Sequence, residues 1–369
     1  QRASGAENCN PRERSFLLSA VGLVALATVA DVVPLLDENR VLVKHGLDCL
    51  RHRAPQGIKC LLLETGLAKK PSLESEDIAF TLAPRLNASG RLGEAALGVE
   101  LLVTDSEERA KALAQHLQEL NQRRDGLERS VYLAAQKQVT EFFDPEADPA
   151  LVLAARGWHV GVIGIVSGRL ADKFHRPVVV ISQDELGVQP GVGSGRGAGV
   201  LHLSEAFAHC TEHLVGHGGH AAAAGLQIED SKLDAFRTAF CEYAAEHISE
   251  DDRVATVQVD TETPLSSLTL SAVSQIERLA PFGPANDRPI LCASGVSLAG
   301  TPRRMGGGDR HLNVKLKQHQ TTLRAVAFGH GDWADSLSQV DGQLDIVSVS
   351  YTHLRAHETD SYLVCTLLL

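Results

Sequence analysis

Apolar positions along this chain fall into three textures. In the first, Phe16–Leu26 is almost continuously apolar and rich in Ala, Leu and Val, which predicts a buried helix after a polar, flexible stretch over 1–15. An amphipathic helix is predicted after Asn39-Arg40 to about Leu50, and a short helix over Asp77–Ala83. A long helix is predicted from a Thr104-x-x-Glu107 capping box to about Phe143, because Leu113, Leu117, Leu120, Leu127 and Val131 keep helical spacing. Unbroken, it would be about 55–60 Å long. Gly126 lies inside it at a cost of about 1 kcal/mol. Its polar faces suit a strut between domains.

The second texture follows an acidic, Pro-containing linker, Asp144–Asp148. Strand Leu151–Ala155, a glycine-rich turn over Gly157–Gly164, helix Ile163–Phe174 and strand Pro177–Ser182 form a strand–loop–helix–strand unit. Such units hold ligands at strand C-termini and helix N-termini. Gly157, Gly161 and Gly164 do not have dinucleotide-fingerprint spacing. Gly193–Gly197 reads as a further turn, and helices are predicted over Ser204–Leu214 and Ser231–Ile248. After the charged boundary Asp251-Asp252-Arg253, the third texture is one of short strands. Val254–Asp260, Pro289–Ala293, His311–Lys317 and Leu323–Phe328 are strand-like, with a helix over Ser271–Leu279 and a rigid Pro281-Phe282-Gly283-Pro284 turn. Five or so short strands with one helix suit a small β-barrel such as an OB-fold, which often binds single strands.

Composition changes this picture only in part. A chain of 369 residues with 44% hydrophobic positions can hold two or three domains with sizeable cores. A net charge of −11 argues against coating nucleic acid through bulk charge, but not against a local basic groove. The 7 cysteines form no CxxC pair, which suits a reducing, cytoplasmic setting. No apolar run is expected to reach the ~20 residues of a membrane helix. The chain lacks a starting Met and is expected to be a fragment.

Several stretches carry candidate chemistry. In Gly216–Leu226, GHGGHAAAAGL, the glycines Gly218 and Gly219 and the imidazoles of His217 and His220 read either as an anion-cradling nest or as a tight solvated turn. Ala83–Gly93 reads as a small-residue loop whose Arg85 and Arg91 match phosphate, or pair structurally with carboxylates. Asp31, inside an apolar run, is a helix cap or turn residue unless something binds it. Arg303, Arg304, Arg310, His311, Lys315 and Lys317 form a local basic cluster, or an ordinary solvated face.

LVALATVADVVPL, AFTLAPRLNASGRL, GWHVGVIGIVSGRLADKF, GSGRG, GHGGHAAAAGL and APFGPANDRPIL occur here in one order, from about Gly22 to about Ser348. In that order they resemble the RecJ-type single-strand-specific exonucleases of the DHH phosphoesterase superfamily. The resemblance implies an α/β chain: the tail of a DHH catalytic domain over 1–103, a connecting helix and linker over 104–148, an α/β DHH-associated substrate-binding domain over 149–250, and an OB-fold domain over 251–348. It implies a 5′→3′ exonuclease on single-stranded DNA, acting in recombination and repair and releasing 5′-mononucleotides with two Mn²⁺ or Mg²⁺ ions. Two hard cations can activate water and stabilise the leaving oxygen. It implies that Asp31 is a metal ligand. It further implies that Arg85, Asn87, Arg91, His159, Ser194, Arg196, Gly218, Gly219 and His220 line the strand's path. Single-stranded DNA is the implied partner, with single-strand-binding protein and a helicase beside it, and a monomer without membrane contact is expected.

The chain departs from the family at both ends. No Asp-His-His and no suitable Asp-x-Asp precede Asp31, so the polypeptide as written is expected to be inactive alone. Gly22–Lys70 is expected to be under-packed, with Val24, Leu26, Val32 and Val33 exposed. The string SYTHLRAHETDS resembles translated adapter sequence, so 349–369 is expected to be a non-native tail, and the metal-like spacing of His353 and His357 is given no function. Two other readings stand beside the exonuclease: a non-catalytic single-strand-binding module, and a DHH-family phosphodiesterase for short oligonucleotides. The OB-like region speaks against the second.

Overall fold

A computed structural model describes residues 10–144, 147–254, 256–353 and 362–368, with side chains as far as Val349. Helices α1 (Pro11–Ala30), α2 (Asp37–Arg53) and α3 (Gln56–Glu64) come first. A single turn, α4 (Ser75–Asp77), runs through a π-helical segment over 78–82 into α5 (Ala83–Arg91). Helices α6 (Ala95–Val103) and α7 (Glu107–Phe142) follow. Next come β1 (Leu151–Arg156), α8 (Val160–Phe174), β2 (Val178–Gln183), β3 (Gly191–Arg196), α9 (Leu203–His209), β4 (Gly216–Gly219), β5 (Ala223–Ile228) and α10 (Leu233–His247). The remainder is β6 (Thr261–Glu262), α11 (Leu270–Ile276), β7 (Leu291–Leu298), β8 (Arg303–Met305), β9 (His311–Gln318), β10 (Thr321–Ala327), α12 (Trp333–Ser338), β11 (Leu344–His353) and β12 (Tyr362–Leu368). The chain divides into two compact units, one of 1–54, 70–80 and 257–369, the other of 55–69 and 81–256.

The second of these units is built on a five-stranded sheet ordered β1-β2-β3-β5-β4, with β1 and β2 parallel and the rest antiparallel. The strands Leu151–Arg156 and Val178–Gln183 are apolar on both faces because each face meets a core. Val152, Val179, Ile181 and Leu226 pack with Phe207, Phe236 and Phe240 of α9 and α10. Leu151, Leu153, Val178 and Val180 pack with Val162, Val166 and Leu170 of α8 and with Val131, Ala135 and Val139 of α7. Burial pushes the Cys210 and Cys241 thiols up to about 11, so neither is a nucleophile at neutral pH.

Helix α7 runs unbroken through Gly126 for 36 residues, about 54 Å. It is no bare strut. Ala110, Leu113, Ala114, Leu117 and Leu120 continue into Val131, Ala135 and Val139 as one buried stripe. Its cap is Ser106, whose hydroxyl accepts from the Arg109 amide; Thr104 instead ends α6.

Four turn or loop expectations are overturned. Ala83–Arg91 is helical, started by Pro84, whose fixed φ suits a first helical turn. Gly193–Arg196 lies within strand β3: a Cβ at Gly193 would stand 2.7 Å from Leu226 Cδ1, and one at Gly195 3.0 Å from Phe207 Cζ. These glycines admit large neighbours rather than a bend. Gly216–Leu226 is a β4–β5 hairpin, not a nest, and of its glycines only Gly219 has φ in the left-handed half, at 144°. Helix α8 begins at Val160, inside the expected turn over Gly157–Gly164.

In the other unit, α1 starts at Pro11, where Asn10 and Glu13 form a capping box, so 11–15 is helical rather than the flexible stretch expected there. Residues 1–9 lie outside the described residues. Helix α1 meets α2 through Gly22, Ala25 and Leu26, and Gly46 allows the close crossing: its Cβ would lie 2.3 Å from that of Ala25. The rest of α1 is open, with Phe16 71% exposed, so the expectation of a wholly buried helix fails. Val24 and Val32 are exposed as expected and Val33 is half-buried, but Leu26 is buried because it lies on the face turned to α2. By length and composition, at 20 residues and a mean hydropathy of 1.5, α1 could cross a membrane, contrary to the expectation of no such run.

The seven-stranded sheet of this unit is ordered β6-β7-β11-β12-β10-β9-β8, with a further two-residue contact from β7 to β9. Seven strands replace the expected five. Val254–Asp260 contributes none of them among the described residues; its strand starts only at Thr261. The core is Val296, Leu312, Val314, Leu316, Ala325 and Ala327 beneath α11 and α12. Of the stretch 349–369, β11 runs to His353 and β12 pairs with both β11 and β10. Arg355 and His357 lie outside the described residues.

Two glycine substitutions should act with opposite signs. A Cβ at Gly57 would stand 1.7 Å from the Leu101 carbonyl oxygen, so Gly57→Ala is expected to lower stability by about 1–3 kcal/mol. Nothing lies within 4 Å of a Cβ at Gly126, so Gly126→Ala is expected to raise it by about 0.5–1 kcal/mol. Urea unfolding followed by circular dichroism reads both.

Candidate nucleic-acid interface

The start of α8 gathers most of the charged candidates. His159 is its N-cap, and its Nδ1 accepts from the Gly161 amide at 3.0 Å, which leaves Nε2–H as a donor. A Cβ at Gly161 would lie 2.2 Å from the Arg91 carbonyl oxygen, so the end of α5 packs directly on this turn. Arg91 Nη1 donates to the Gly161 carbonyl at 3.1 Å. One turn on, a Cβ at Gly164 would lie 3.1 Å from Ser194 Oγ and 3.4 Å from Arg196 Nη2. Arg196 Nη1 donates to the Gly195 carbonyl at 2.8 Å and to Ser194 Oγ at 3.3 Å. Arg91, His159, Ser194 and Arg196 thus converge on one helix N-terminus, where amide donors and the helix dipole favour an anion.

Arg85 joins from the same helix as Arg91. Its Nε donates to Gln118 Oε1 and its Nη1 to the Thr81 carbonyl, both at 2.6 Å. Among the described residues, no carboxylate pairs with Arg85, Arg91 or Arg196; backbone carbonyls and neutral side chains hold them instead. Enclosure lowers all three pKa values. The charge of Arg124 adds to this at Arg85 and Arg91, and that of Arg91 adds to it at Arg196. Asp125 and Glu64 oppose the shift at Arg85 and Glu128 opposes it at Arg91, but none pairs with these guanidiniums, and crowded like charges partly withdrawn from water favour a bound anion.

The hairpin extends this surface. Ser194 of β3, Gly225 of β5 and Gly218 of β4 form one cross-strand row, and nothing lies within 4 Å of a Cβ at Gly218. The row is bare backbone on the α8 side. At Gly219 a Cβ would strike Ala224 Cα at 2.5 Å. His220 is exposed in the connecting turn, its amide bonded to Ala223, the residue opposite Arg196. Asn87 is exposed on α5 and makes no side-chain contact with the others among the described residues.

Other groups were not anticipated. Arg124, Glu128 and Asn121 of α7, with Arg169 of α8, form a network beside Arg91. The available signal was polar residues at 121, 124 and 128, breaking the apolar stripe at helical spacing. In the seven-stranded unit, Arg303, Lys315 and Lys317 project from the outer faces of β8 and β9, joined by Arg324 opposite Lys315. Arg304 pairs with Asp335, Arg310 caps its own turn, and His311 accepts from the Gly329 amide and meets Phe328 edge-on.

Asp31 is exposed at the C-cap of α1, the negative end of the helix dipole, and is followed by Val32 at φ 57°. A β-branched residue there costs about 1–3 kcal/mol, a mark of a constrained position. Among the described residues, no three His, Cys, Asp or Glu side chains converge to hold a metal. One carboxylate does not fit a two-metal centre, and no chemical step can be built on the residues described.

Comparison with known proteins accounts for both units. The DHHA1 domain model matches residues 147–246 and the RecJ OB domain model matches 259–353. The single-stranded-DNA-specific exonuclease RecJ of Bacillus subtilis is 31% identical over 326 residues, covering 85% of this chain and 39% of that protein. Its namesake from Dickeya dadantii is 36% identical over 345 residues, covering 91% and 58%. The crystal structure of Thermus thermophilus RecJ with Mg²⁺ superposes with a TM-score of 0.78 at 30% identity, covering 94% of this chain and 52% of that one. That protein's Mn²⁺ complex gives 0.77, covering 94% and 49% at the same identity. The chain spans about half the length of the curated relatives it matches. In sequence and in fold, the chain belongs to the RecJ family.

Proposed function

We propose that this chain is the strand-holding part of a metal-dependent exonuclease that degrades single-stranded DNA from the 5′ end to mononucleotides, in recombination and repair. The observation that carries the reading is the pair Arg91 and Arg196, held at the start of α8 by carbonyls and hydroxyl rather than by carboxylates. On this reading, the two guanidiniums and the amides of α8 receive phosphate. Ser194 Oγ and His159 Nε2–H add neutral donors. The bare row Ser194–Gly225–Gly218 lets a sugar–phosphate backbone lie close to the sheet, with His220 at its margin. Arg85 extends the positive charge along α5, and Asn87 lies exposed beside it. The outer face bearing Arg303, Lys315, Lys317 and Arg324 would meet a further stretch of strand, as OB surfaces do.

Asp31 is read as one ligand of a Mn²⁺ or Mg²⁺ pair whose other ligands are not found among the described residues. The support is its exposed position beside the strained Val32 and the Mg²⁺ and Mn²⁺ in the Thermus structures. Single-strand-binding protein and a helicase are proposed partners of the monomeric enzyme in the cytoplasm. By itself, the chain would bind a strand without cutting it. A short-oligonucleotide phosphodiesterase is disfavoured by the RecJ OB match over 259–353.

Binding to a labelled oligonucleotide, measured by fluorescence anisotropy at several salt concentrations, tests the phosphate contacts. Arg196→Ala and Arg91→Ala should each weaken binding equally across sequences and flatten the log–log salt slope by about 0.7. Unchanged affinity in both would remove the track. Incubated with Mn²⁺ and single-stranded DNA, the chain should release no mononucleotide; release that Asp31→Ala abolishes would overturn the view that it lacks a working centre.

A further inference from the structure

Helix α7 carries a buried carboxylate with an unusual duty. Glu128 is 9% exposed and lies on the same stripe as Leu117, Leu120 and Val131. Each of its oxygens is taken by an arginine from a different helix: Oε2 accepts from Arg124 Nη1 at 3.0 Å, and Oε1 from Arg169 Nη1 at 2.8 Å. Both arginines are gripped a second time. Arg124 Nη2 donates to Asn121 Oδ1 at 2.8 Å, and the Arg169 guanidinium lies 4.2 Å over the Tyr132 ring, one turn beyond Glu128. Arg124 is spent on these contacts, since its Nη2 also pairs with Asp125 and its Nε is buried, whereas Arg169 is half exposed.

We propose that Glu128 is a positioning residue for the strand-binding surface: held from one side by Arg124, it fixes Arg169 so that the exposed edge of that guanidinium continues the row begun by Arg91 and Arg196. The inference rests on the strand-binding reading above and extends it to residues outside it. A purely structural ion pair would satisfy both partners; here one acceptor serves two cations, and the local balance stays positive. Arg85, Arg91, Arg124, Arg169 and Arg196 face three carboxylates, Asp125, Glu128 and, at Arg85, Glu64. A buried carboxylate in such a place opposes a polyanion through space. Its presence is explained if holding the guanidiniums in place outweighs that repulsion.

The two effects have opposite signs, which makes the test decisive. If Glu128 acted only through space, Glu128→Gln and Glu128→Ala would bind a labelled single strand more tightly, with an equal or steeper salt slope. If it positions Arg169, Glu128→Ala should weaken binding severalfold and flatten the slope by about 0.7, the share of one phosphate contact on a single strand. Glu128→Gln, which keeps one acceptor, should fall between Glu128→Ala and the parent chain, and it decides the sign should Glu128→Ala not fold. In an Arg124→Ala, Arg169→Ala background, Glu128→Ala should weaken binding no further. Tighter binding by either Glu128 variant, or further weakening in that background, overturns the proposal. Arg196→Ala and Arg91→Ala, run in parallel, separate the two levels: weakened binding there with tight Glu128 variants removes the positioning role alone, whereas unchanged binding in both removes the strand surface and this role with it.

Discussion

Guanidiniums drawn partly out of water without carboxylates to answer them are the constraint around which the sheet-bearing unit is arranged. A cation so placed is costly unless hydrogen bonds or a counter-ion offset the loss of hydration. Here carbonyl oxygens of Thr81, Gly161 and Gly195 do part of that work. They orient Arg85, Arg91 and Arg196 without neutralising them, which keeps the charge available to a ligand.

That arrangement requires close backbone approach, and the glycines supply it. Side chains at Gly161 and Gly164 would collide with Arg91, Ser194 and Arg196, so their absence lets α5 and β3 lie against one helix end. The same device admits Leu226 and Phe207 at Gly193 and Gly195 on the opposite face of β3. One strand therefore serves a core with its odd positions and presents Ser194 and Arg196 on its other face. Phe207, Phe236 and Phe240 fill the core side with mutual ring contacts of 5.6–6.0 Å, which fixes the strand that carries Arg196.

In the other unit, the Pro281–Asn286 turn plays a comparable anchoring role. Ser75 Oγ donates to the Phe282 carbonyl, Arg40 to that of Leu279, and the Leu35 amide to that of Pro284 at 2.7 Å. Leu35 lies four residues beyond Asp31, so this turn fixes the far end of the strained segment that starts at Val32. Arg288 stacks over Phe282 and pairs with Glu277, stiffening the turn from its own side.

The sequence by itself determined the order of textures, the helical spacing of α7, the apolar strands of the sheet and the residue types able to meet phosphate. Those properties reside in local periodicity and side-chain chemistry. Resemblance of its motifs to one family added the expectation of an exonuclease. Only the tertiary structure decided that GSGRG and GHGGH are strands, because their glycines answer to Leu226, Phe207 and Ala224, which are distant or across a hairpin. It likewise decided that Ala83–Arg91 is a helix, and that Arg304 is spoken for by Asp335 while Arg324 joins Lys315. Nothing in the local spacing tells what Glu128 meets, since periodicity reports which face a residue occupies and not what packs against it. Its burial and its two arginines depend on where α8 lies, and no spacing within α7 encodes that.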